Sequence, residues 1–349
     1  MKNNKKVLLY GYLGFLTNQL DGQTIKTRSI LKLLELNSSN NNMVVDFFDT
    51  QNFKSDKFSF FKSLKKLSKS DIIYYVPAHN NLKYLFPIIF FVSKLFNVKI
   101  HYIVVGGWLH DFLKRLPIHR WMLRNIDGIY PQTDELVKLL MDDYAFNNVV
   151  KLHNFRFYVP GKKRELHFEK TTFNLVFMAR VHPQKGINTL KMLSDKLFEK
   201  FANKVSISIY GPILNGYEGD FENILNSSNG ILTYKGILPP EDIVDTLKEY
   251  DLFLFPTQYY TEGFPGSILE SYLAEVPVVV SNWKYAKEFV VDGKSGIIAE
   301  FNNSNDFVEK VVFCLTNSFV LSTLKQDVKN IKESFSPEEA WKILRNNIK

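Results

Sequence analysis

The segment Asp251–Glu275, DLFLFPTQYYTEGFPGSILESYLAE, decides the fold class of this chain. It begins with a short apolar run, Asp251–Pro256, passes through a turn rich in glycine and proline, and continues into a helix-like run, Ser267–Glu275. An apolar strand, a turn and a helix form the repeating unit of parallel sheets that helices cover on both faces. The segment therefore predicts an α/β fold with a ligand edge at the carboxyl end of this strand.

The same alternation continues in both directions along the 349 residues, a length that suggests more than one core. The predicted strands are Lys6–Leu13, Met43–Thr50, Asp71–Ala78, Lys99–Gly107, Gly128–Thr133, Asn148–Leu152, Phe173–Ala179, Val205–Gly211, Leu232–Tyr234, Asp251–Pro256, Val276–Ser281 and Gly296–Ala299. Helix-like segments lie between them, notably Gly22–Leu36, Asn81–Phe96 and Ile187–Phe198. Two such series predict two Rossmann-like, doubly wound domains whose ligand edges face one cleft.

The boundary between the two series is predicted in the polar, basic stretch Pro160–Lys170. The predicted domains are an N-terminal domain over residues 1–165 and a C-terminal domain over residues 166–333, followed by a helix within residues 334–349. In that helix, Pro337–Ile348, apolar side chains recur at helical spacing and Ser336 precedes it as a cap. One face of this helix is therefore expected to pack on a core.

Positive charge is concentrated in the first half of the chain. The net charge is +8, yet residues 1–165 hold 25 Lys and Arg against 13 Asp and Glu. This excess predicts an anionic partner, namely a membrane surface, a phosphorylated lipid or nucleic acid, and the alternative is a merely solvated basic face.

The cysteine content and the longest apolar run suggest a compartment. The single cysteine, Cys314, can form neither an internal disulfide nor a zinc site, which favours a reducing, cytoplasmic compartment. The first apolar run, Val7–Tyr10, is too short for a signal peptide. The run Tyr84–Val98 is interrupted by Pro87 and Lys94 and falls short of the roughly 20 residues that span a bilayer. We therefore expect no membrane-spanning segment.

The segment Glu262–Glu270 carries a carboxylate at each end and Gly263 and Gly266 between them. Glycines let backbone amides approach a ligand, and a helix N-terminus favours an anion such as a diphosphate. Carboxylates accept hydrogen bonds from sugar hydroxyls. The alternative is a capping box between Ser267 and Glu270, which would stabilise the helix by about 1 kcal/mol without any ligand.

Two cations, Arg180 and Lys185, follow the first strand of the second half. In a doubly wound fold this turn lies at the ligand edge, where two cations could neutralise a leaving diphosphate. The alternative is an exposed basic loop. No Asp-x-Asp motif lies in the cleft-forming turns, and Asp142-Asp143 reads as solvated surface. These observations predict chemistry that needs no metal ion.

The pattern Arg180-x4-Lys185-Gly186, followed about 80 residues later by E-G-F-x-G-x-x-x-E, resembles the family 4 retaining glycosyltransferases of GT-B fold. D-G-Q-T-I-K-T-R at Asp21–Arg28 and V-V-G-G-W-L at Val104–Leu109 are similar to bacterial capsular or exopolysaccharide glycosyltransferases. The resemblance spans nearly the whole chain. It implies that the C-terminal helix crosses back to the N-terminal domain.

The resemblance also implies a role for each matching residue. Arg180 and Lys185 would hold the donor diphosphate, Glu262 the donor sugar and Glu270 the ribose. The Thr24 hydroxyl would donate a hydrogen bond to a phosphate oxygen. Further donor contacts would come from Gly22, Gln23, Gly107, Gly211, Ile237, Gly263, Phe264, Pro265, Gly266 and Ser267.

The turn Gly106–Trp108 is where family members often carry a histidine or an acidic residue. In this chain His110 and Asp111 follow slightly later. Neither is assigned a catalytic role, and His110 is expected to cap a helix or to face solvent.

The implied activity is transfer of a sugar from a nucleoside-diphosphate sugar, with UDP favoured, to an acceptor hydroxyl in cell-surface polysaccharide synthesis. The acceptor would be a saccharide or a lipid-linked saccharide bound by the basic N-terminal domain, with no nucleic acid and no cofactor involved. Two alternatives stay open: a sugar-nucleotide epimerase of the same fold, and a non-catalytic sugar or polyanion binder. Release of nucleoside diphosphate with and without acceptor distinguishes the three.

The segment Asn81–Phe96 is strongly apolar and has lysines at its edges, close in sequence to the lysine-rich run Lys62–Lys69. This combination predicts peripheral docking on an anionic bilayer at the inner face of the membrane. The alternative is a crossover helix buried against the sheet, which the nearly all-round distribution of apolar residues favours.

Overall fold

The computed structural model describes residues 4–17, 21–56, 58–158, 172–331 and 335–346. The chain forms two compact units: unit 1 comprises Met1–Phe157 and Ser336–Lys349, and unit 2 comprises Tyr158–Phe335. The predicted boundaries at 165/166 and 333/334, and the basic stretch 160–170, lie outside the described residues.

Unit 1 contains a parallel sheet of five strands in the order β2-β1-β3-β4-β5. Its strands are β1 (Lys5–Gly11), β2 (Met43–Asp49), β3 (Ile72–Val76), β4 (Lys99–Ile103) and β5 (Gly128–Tyr130). Its first helices are α1 (Gly22–Leu36), α2 (Ser59–Leu67), α3 (Phe86–Leu95), α4 (Leu109–Leu113), α5 (Pro117–Arg124) and α6 (Asp134–Tyr144). The predicted sixth strand, Asn148–Leu152, instead forms a single parallel bridge from Val149 to Ile129, because β5 is only three residues long.

Successive side chains of β3 enter different cores on the two faces of the sheet. Ile73 and Tyr75 belong to one buried cluster, whereas Tyr74 and Val76 belong to another. Both faces are therefore covered, which is why the strand is apolar throughout and does not alternate with polar residues.

Unit 2 contains a parallel sheet of six strands in the order β11-β10-β9-β6-β7-β8. Its strands are β6 (Phe173–Met178), β7 (Val205–Tyr210), β8 (Leu232–Tyr234), β9 (Leu252–Phe255), β10 (Val278–Ser281) and β11 (Gly296–Ala299). Its helices are α7 (Ile187–Phe201), α8 (Glu218–Asn226), α9 (Ile243–Leu247), α10 (Gly266–Leu273), α11 (Ala286–Phe289), α12 (Ser304–Thr316) and α13 (Ser318–Ile331). All six predicted strands are present, and the strand order reverses between β6 and β9.

The last helix, α14 (Pro337–Arg345), belongs to unit 1. Ser336 caps it by accepting a hydrogen bond from the Glu339 N–H at 3.3 Å. Its buried side chains, Ala340 and Leu344, lie in the same apolar cluster as strand β1, and the Tyr74 hydroxyl donates to the Leu344 carbonyl at 3.3 Å. The predicted apolar face is thus buried on the first unit.

Candidate active site

Two loops of unit 2 meet where the strand order of its sheet reverses. The loop that follows β6 contains Arg180 and Lys185, and the loop that follows β9 contains Glu262. They are joined by a backbone hydrogen bond in which the Gln258 N–H donates to the Gln184 carbonyl at 2.8 Å. Because β6 and β9 are adjacent strands of one parallel sheet, both loops lie at the edge where such folds bind ligands.

Glycine is required at two positions around these loops. Gly186 has φ +82°, and a Cβ there would lie 2.0 Å from the Pro256 carbonyl oxygen. Gly211, at the end of β7, has φ +132°, and a Cβ there would lie 2.0 Å from the Ala179 carbonyl oxygen. In each case only glycine allows the backbones to approach this closely. The β6 loop is therefore held tightly against the strand ends on both sides.

Lys185 and Glu262 form an ion pair across the two loops. Their side chains are 23% and 14% exposed, and the Lys185 Nζ lies 5.7 Å from the centroid of the Phe255 ring. Burial, and secondly the charge of Arg180, lowers the pKa of Lys185 to about 8. The structure thus brings the three residues predicted as catalytic close together: Lys185 and Glu262 are partly desolvated, where charges act more strongly than in water, and the exposed Arg180 acts on Lys185 through its charge.

Helix α10 begins one residue earlier than predicted. Its N-cap is Pro265, in extended conformation, and no side chain makes a capping hydrogen bond. Ser267 is already the second helical residue, so the capping box between Ser267 and Glu270 is wrong. Glu270 lies in the second turn and is buried. The first-turn amides are therefore not capped by a side chain, as an anion site at a helix N-terminus requires.

We expect Glu270→Ala to weaken binding of a UDP-sugar by about 10- to 100-fold, because a hydrogen bond to a charged group contributes about 1.5–3 kcal/mol. Isothermal titration with UDP measures the affinity, and thermal unfolding measures the stability. The control is Glu309→Ala, an exposed glutamate on α12. A lower melting temperature with unchanged UDP affinity would show that Glu270 serves the fold alone.

The remaining predicted donor residues of unit 2 surround the same edge. The Gly211 N–H donates to the Gly236 carbonyl at 2.9 Å, which places the β7 and β8 turns side by side. Ile237 follows and is 57% exposed, so an apolar surface is available there. Phe264 differs, since its ring stacks on that of Phe289 at 4.1 Å inside the core. Only its backbone can serve a ligand, and Gly263 beside it is buried.

The predicted phosphate loop of unit 1 is the first turn of α1. Asp21 caps this helix by accepting from the N–H groups of Gln23 and Thr24 at 3.0 and 2.9 Å. The Thr24 side chain is fully buried, and its hydroxyl donates to the Asp21 carbonyl at 2.9 Å. In this structure the hydroxyl serves the helix cap, and its predicted contact with a phosphate oxygen stays a prediction. The backbone N–H of Gly22 and the buried amide nitrogen of Gln23 have no acceptor among the described residues.

His110 lies near the end of the turn that contains the buried Gly107. It is buried, not solvent-facing as expected, and its Nε2 lies 2.7 Å from Oδ2 of Asp143. The Tyr144 hydroxyl donates to the His110 carbonyl at 2.8 Å. Asp143 is thus engaged and not simply solvated, and these contacts fasten α4 to α6. Asp111 pairs with Lys114 at 2.7 Å.

One buried cation, Lys26, was not predicted from the sequence. Lys26 on α1 is 1% exposed, and its Nζ donates to the Val104 carbonyl at 3.3 Å. Burial, and secondly the charge of Arg156, lowers its pKa to about 7. A signal was present: Lys26 shares the inward face of α1 with Ile30, four residues on.

Neither a metal cluster nor a long apolar helix is found in the described part of the chain. No three His, Cys, Asp or Glu side chains among those residues are grouped as a metal site would require. No single described helix has the length and apolarity to cross a bilayer, although α12 and α13, bent by 95°, meet that test together. Both contribute buried side chains to the core of unit 2.

Comparison with protein families gives a match that lies within unit 2. The model of the glycosyl transferases, group 1, matches residues 160–334. The capsular polysaccharide biosynthesis glycosyltransferase CapM of Staphylococcus aureus is 24% identical over 216 residues, which are 60% of this chain and 54% of CapM. The N,N'-diacetylbacillosaminyl-diphospho-undecaprenol alpha-1,3-N-acetylgalactosaminyltransferase of Campylobacter jejuni is 30% identical over 165 residues, 46% of this chain and 41% of that protein. The chain spans about half the length of the curated relatives it matches.

Comparison with solved structures concerns the fold. Anabaena HepE in complex with UDP aligns over 98% of this chain and 99% of its own, with a TM-score of 0.74 and 13% identity. The predicted fold class, two Rossmann-like doubly wound sheets of the GT-B type, is confirmed.

Proposed function

Because the chain belongs to the glycosyl transferases of group 1, we propose that it moves a sugar from a nucleoside-diphosphate sugar to an acceptor hydroxyl and retains the anomeric configuration. The observation that carries this proposal is the ion pair of Lys185 with Glu262 beside Arg180. These groups supply two cations for a diphosphate and a carboxylate for sugar hydroxyls, at the ligand edge of one sheet.

Each of the four charged residues of the proposed donor site in unit 2 then has a distinct role. Arg180 grips a phosphate with its planar fork, and Lys185 adds a point charge. When the diphosphate pairs with Lys185, Glu262 is released to accept hydrogen bonds from the donor sugar. Glu270 accepts hydrogen bonds from the ribose, and the uncapped N-terminus of α10 faces the phosphates.

We propose a front-face transfer for the chemical step. The bond between the anomeric carbon and the phosphate oxygen breaks, and the acceptor oxygen bonds to that carbon on the same face. The proton of the acceptor hydroxyl passes to the departing phosphate oxygen. Arg180 and Lys185 stabilise the negative charge that grows on the diphosphate, in the role that a divalent ion plays elsewhere. We propose accordingly that no metal and no cofactor is needed.

The substrates are inferred from two proteins that the chain resembles. UDP is the favoured nucleotide, because the similar fold of HepE is described in complex with UDP. A saccharide or lipid-linked saccharide acceptor, bound by unit 1, is supported by the C. jejuni relative, whose name specifies a diphospho-undecaprenol acceptor. A role in cell-surface polysaccharide synthesis is supported by CapM.

The experiment combines donor binding with turnover. A thermal-shift panel of UDP-, GDP-, ADP- and dTDP-sugars identifies the donor, since a ligand that binds only the native state raises its melting temperature. Release of nucleoside diphosphate is then measured with and without lipid-linked saccharides, in the presence and absence of EDTA. Acceptor-dependent release that survives EDTA supports the proposal. Release that strictly requires magnesium contradicts metal independence, and a nucleotide-sugar converted without release of diphosphate indicates an epimerase.

We also propose that unit 1 docks on the cytoplasmic face of an anionic membrane. The segment 81–96 is buried on one side only: Leu82, Phe86 and Phe90 are in the core, whereas Phe91 and Leu95 are 58% and 78% exposed. We call the following exposed side chains the apolar face: Phe61, Tyr84, Ile88, Phe91, Leu95, Ile118 and Trp121. Exposed lysines border it on α2, in the turn before α3 and on α3, namely Lys65, Lys83 and Lys94.

We expect this protein to sediment with anionic vesicles at low salt and to be released as salt is raised, since each lysine near the surface adds about 1 kcal/mol. The double variant Phe91→Asp with Leu95→Asp should lose most of this binding, because its apolar groups no longer enter the interface. Phe319→Asp, an equally exposed phenylalanine on α13, is the matched control. Equal recovery with neutral and anionic vesicles would end the membrane proposal.

A further inference from the structure

Unit 1 carries a group of aromatic side chains at the edge where its strands end. His79 follows β3 and Trp108 follows β4, and their ring centroids lie 5.0 Å apart. Phe112 lies 4.6 Å from His79 and 5.4 Å from Trp108. The strand order of this sheet reverses between β1 and β3. The three rings, here called the aromatic cluster, therefore lie at the carboxyl edge beside the reversal, where doubly wound sheets bind ligands.

The aromatic cluster is open to solvent and has unused polar atoms. His79 is exposed, and Trp108 is partly exposed. In the described part of the chain, neither the His79 imidazole nor the Trp108 indole N–H makes a hydrogen bond; the two rings contact each other and Phe112, and Trp108 also packs on the apolar core. A buried structural tryptophan usually finds a partner for its N–H. These two polar groups are instead free to meet a ligand.

The tryptophan is held in place by the turn beneath it. Gly106 has φ +80°, and a Cβ there would lie 3.0 Å from Cδ1 of Trp108. The indole therefore lies directly against the backbone of a glycine turn. Lys26 donates to the Val104 carbonyl just before that turn. A ring that is packed in this way loses little conformational entropy when a ligand stacks on it.

The chemistry of the aromatic cluster matches a neutral sugar ring. A pyranose presents apolar C–H groups on its faces and hydroxyls around its rim, so an aromatic surface with polar tips complements it. None of the three side chains of the cluster carries a permanent charge, so the cluster itself does not favour a phosphate. We propose that His79 and Trp108 form the platform on which the acceptor sugar stacks, an inference that rests on the proposed transferase function.

The aromatic cluster is continuous with the apolar face. Phe112 packs on His119 with ring centroids 5.9 Å apart, and the His119 Nε2 lies 3.0 Å from the Lys83 carbonyl, in the turn that leads into α3. A sugar on the platform is therefore next to the surface proposed to meet the membrane. This arrangement suits an acceptor whose sugar is attached to a lipid.

The test measures sugar binding directly, without requiring turnover. Saturation-transfer NMR is recorded with a panel of methyl pyranosides of glucose, galactose, mannose, N-acetylglucosamine and N-acetylgalactosamine, in the presence of saturating UDP. We expect at least one glycoside to bind the wild type, and Trp108→Ala to weaken that binding at least tenfold. Trp108→Phe keeps a ring and the packing on Phe112 but lacks the N–H, so a smaller loss is expected. His79→Ala should also weaken binding.

Two controls separate the platform from the donor site. Trp341→Phe, on the C-terminal helix of the same unit, should leave glycoside binding unchanged. Titration with UDP should give the same affinity for the wild type and all variants. A wild type that binds UDP but no glycoside of the panel, or a Trp108→Ala variant that binds glycosides normally, would overturn the platform. Failure of the wild type to bind any nucleotide would instead contradict the proposed function.

Discussion

Lys185→Gln is expected to lower the turnover of sugar transfer by about 100- to 1000-fold, the range observed when one preorganised electrostatic group is removed from an active site. The variant loses the charge that pairs with Glu262 and that would neutralise the diphosphate. Arg180→Ala should lower turnover at least tenfold for the same reason. The measurement is the rate of UDP release from a UDP-sugar in the presence of acceptor.

The dependence on pH gives a sharper form of this prediction. The folded-state pKa of Lys185 is lowered to about 8, so the side chain is charged below that pH and neutral above it. Affinity for UDP should therefore fall as pH rises through about 8. Lys185→Arg stays charged throughout this range and should show no such loss.

A matched control and a contradicting result are available. Lys196→Gln removes an exposed lysine of α7 that pairs with Glu199, and it should have normal turnover. If Lys185→Gln and Arg180→Ala both retain near-normal turnover, the two cations do not act in the reaction. The alternative of a merely basic loop would then be correct.

Lys26→Met is expected to make unit 1 more stable at pH 6, although it removes a hydrogen bond. The unfolded chain keeps Lys26 protonated up to its ordinary pKa of 10.5, whereas the folded state releases that proton near pH 7. Below pH 7 both states are charged, and the folded state bears the full cost of a buried cation. Between pH 7 and 10.5 the unfolded state binds more protons, so the stability of the wild type rises with pH.

The size of this effect follows from the pKa. A shift of one unit corresponds to about 1.4 kcal/mol, so removal of the charge should add several kcal/mol to the free energy of unfolding at pH 6. The gain should shrink as pH approaches 10. Thermal unfolding from pH 6 to 10 measures it, and Lys32→Met, an exposed lysine on the same helix, is the control. A Lys26→Met variant less stable than the wild type at pH 6 would show that the Val104 hydrogen bond outweighs the cost of burial.

The local pattern of apolar and polar residues was sufficient to predict most of the secondary structure. Helix α1 has its predicted bounds, Gly22–Leu36, and each strand of unit 2 lies within two residues of its prediction. A strand that is covered on both faces must be apolar throughout. Such a strand can therefore be predicted from its sequence without knowing which elements pack against it. The exceptions are short. In unit 1 the strand predicted at Lys99–Gly107 ends at Ile103, and Asn148–Leu152 has only a three-residue strand to pair with. In unit 2, α10 begins at Gly266, where Ser267 was expected.

The sequence by itself also predicted three residues of the proposed donor site. Arg180, Lys185 and Glu262 each follow a strand, and the ends of parallel strands share one edge. Only the tertiary structure decided that Lys185 pairs with Glu262, because the adjacency of β6 and β9 depends on strand order and not on sequence distance. It likewise decided that the Thr24 hydroxyl serves the cap of α1.

The sequence did not determine which side chains of a helix are buried. The spacing of Lys26 from Ile30 pointed to the inward face of α1, but only the tertiary structure showed that Lys26 is buried in the core. The segment 81–96 is apolar nearly all round, so composition alone could not say which side packs on the sheet and which stays exposed. Only the tertiary structure, by placing Phe86 and Phe90 inward, left Phe91 and Leu95 outside. The physical reason is that the side of a helix that is desolvated depends on the elements packed against it, whereas its apolar content depends on the sequence alone.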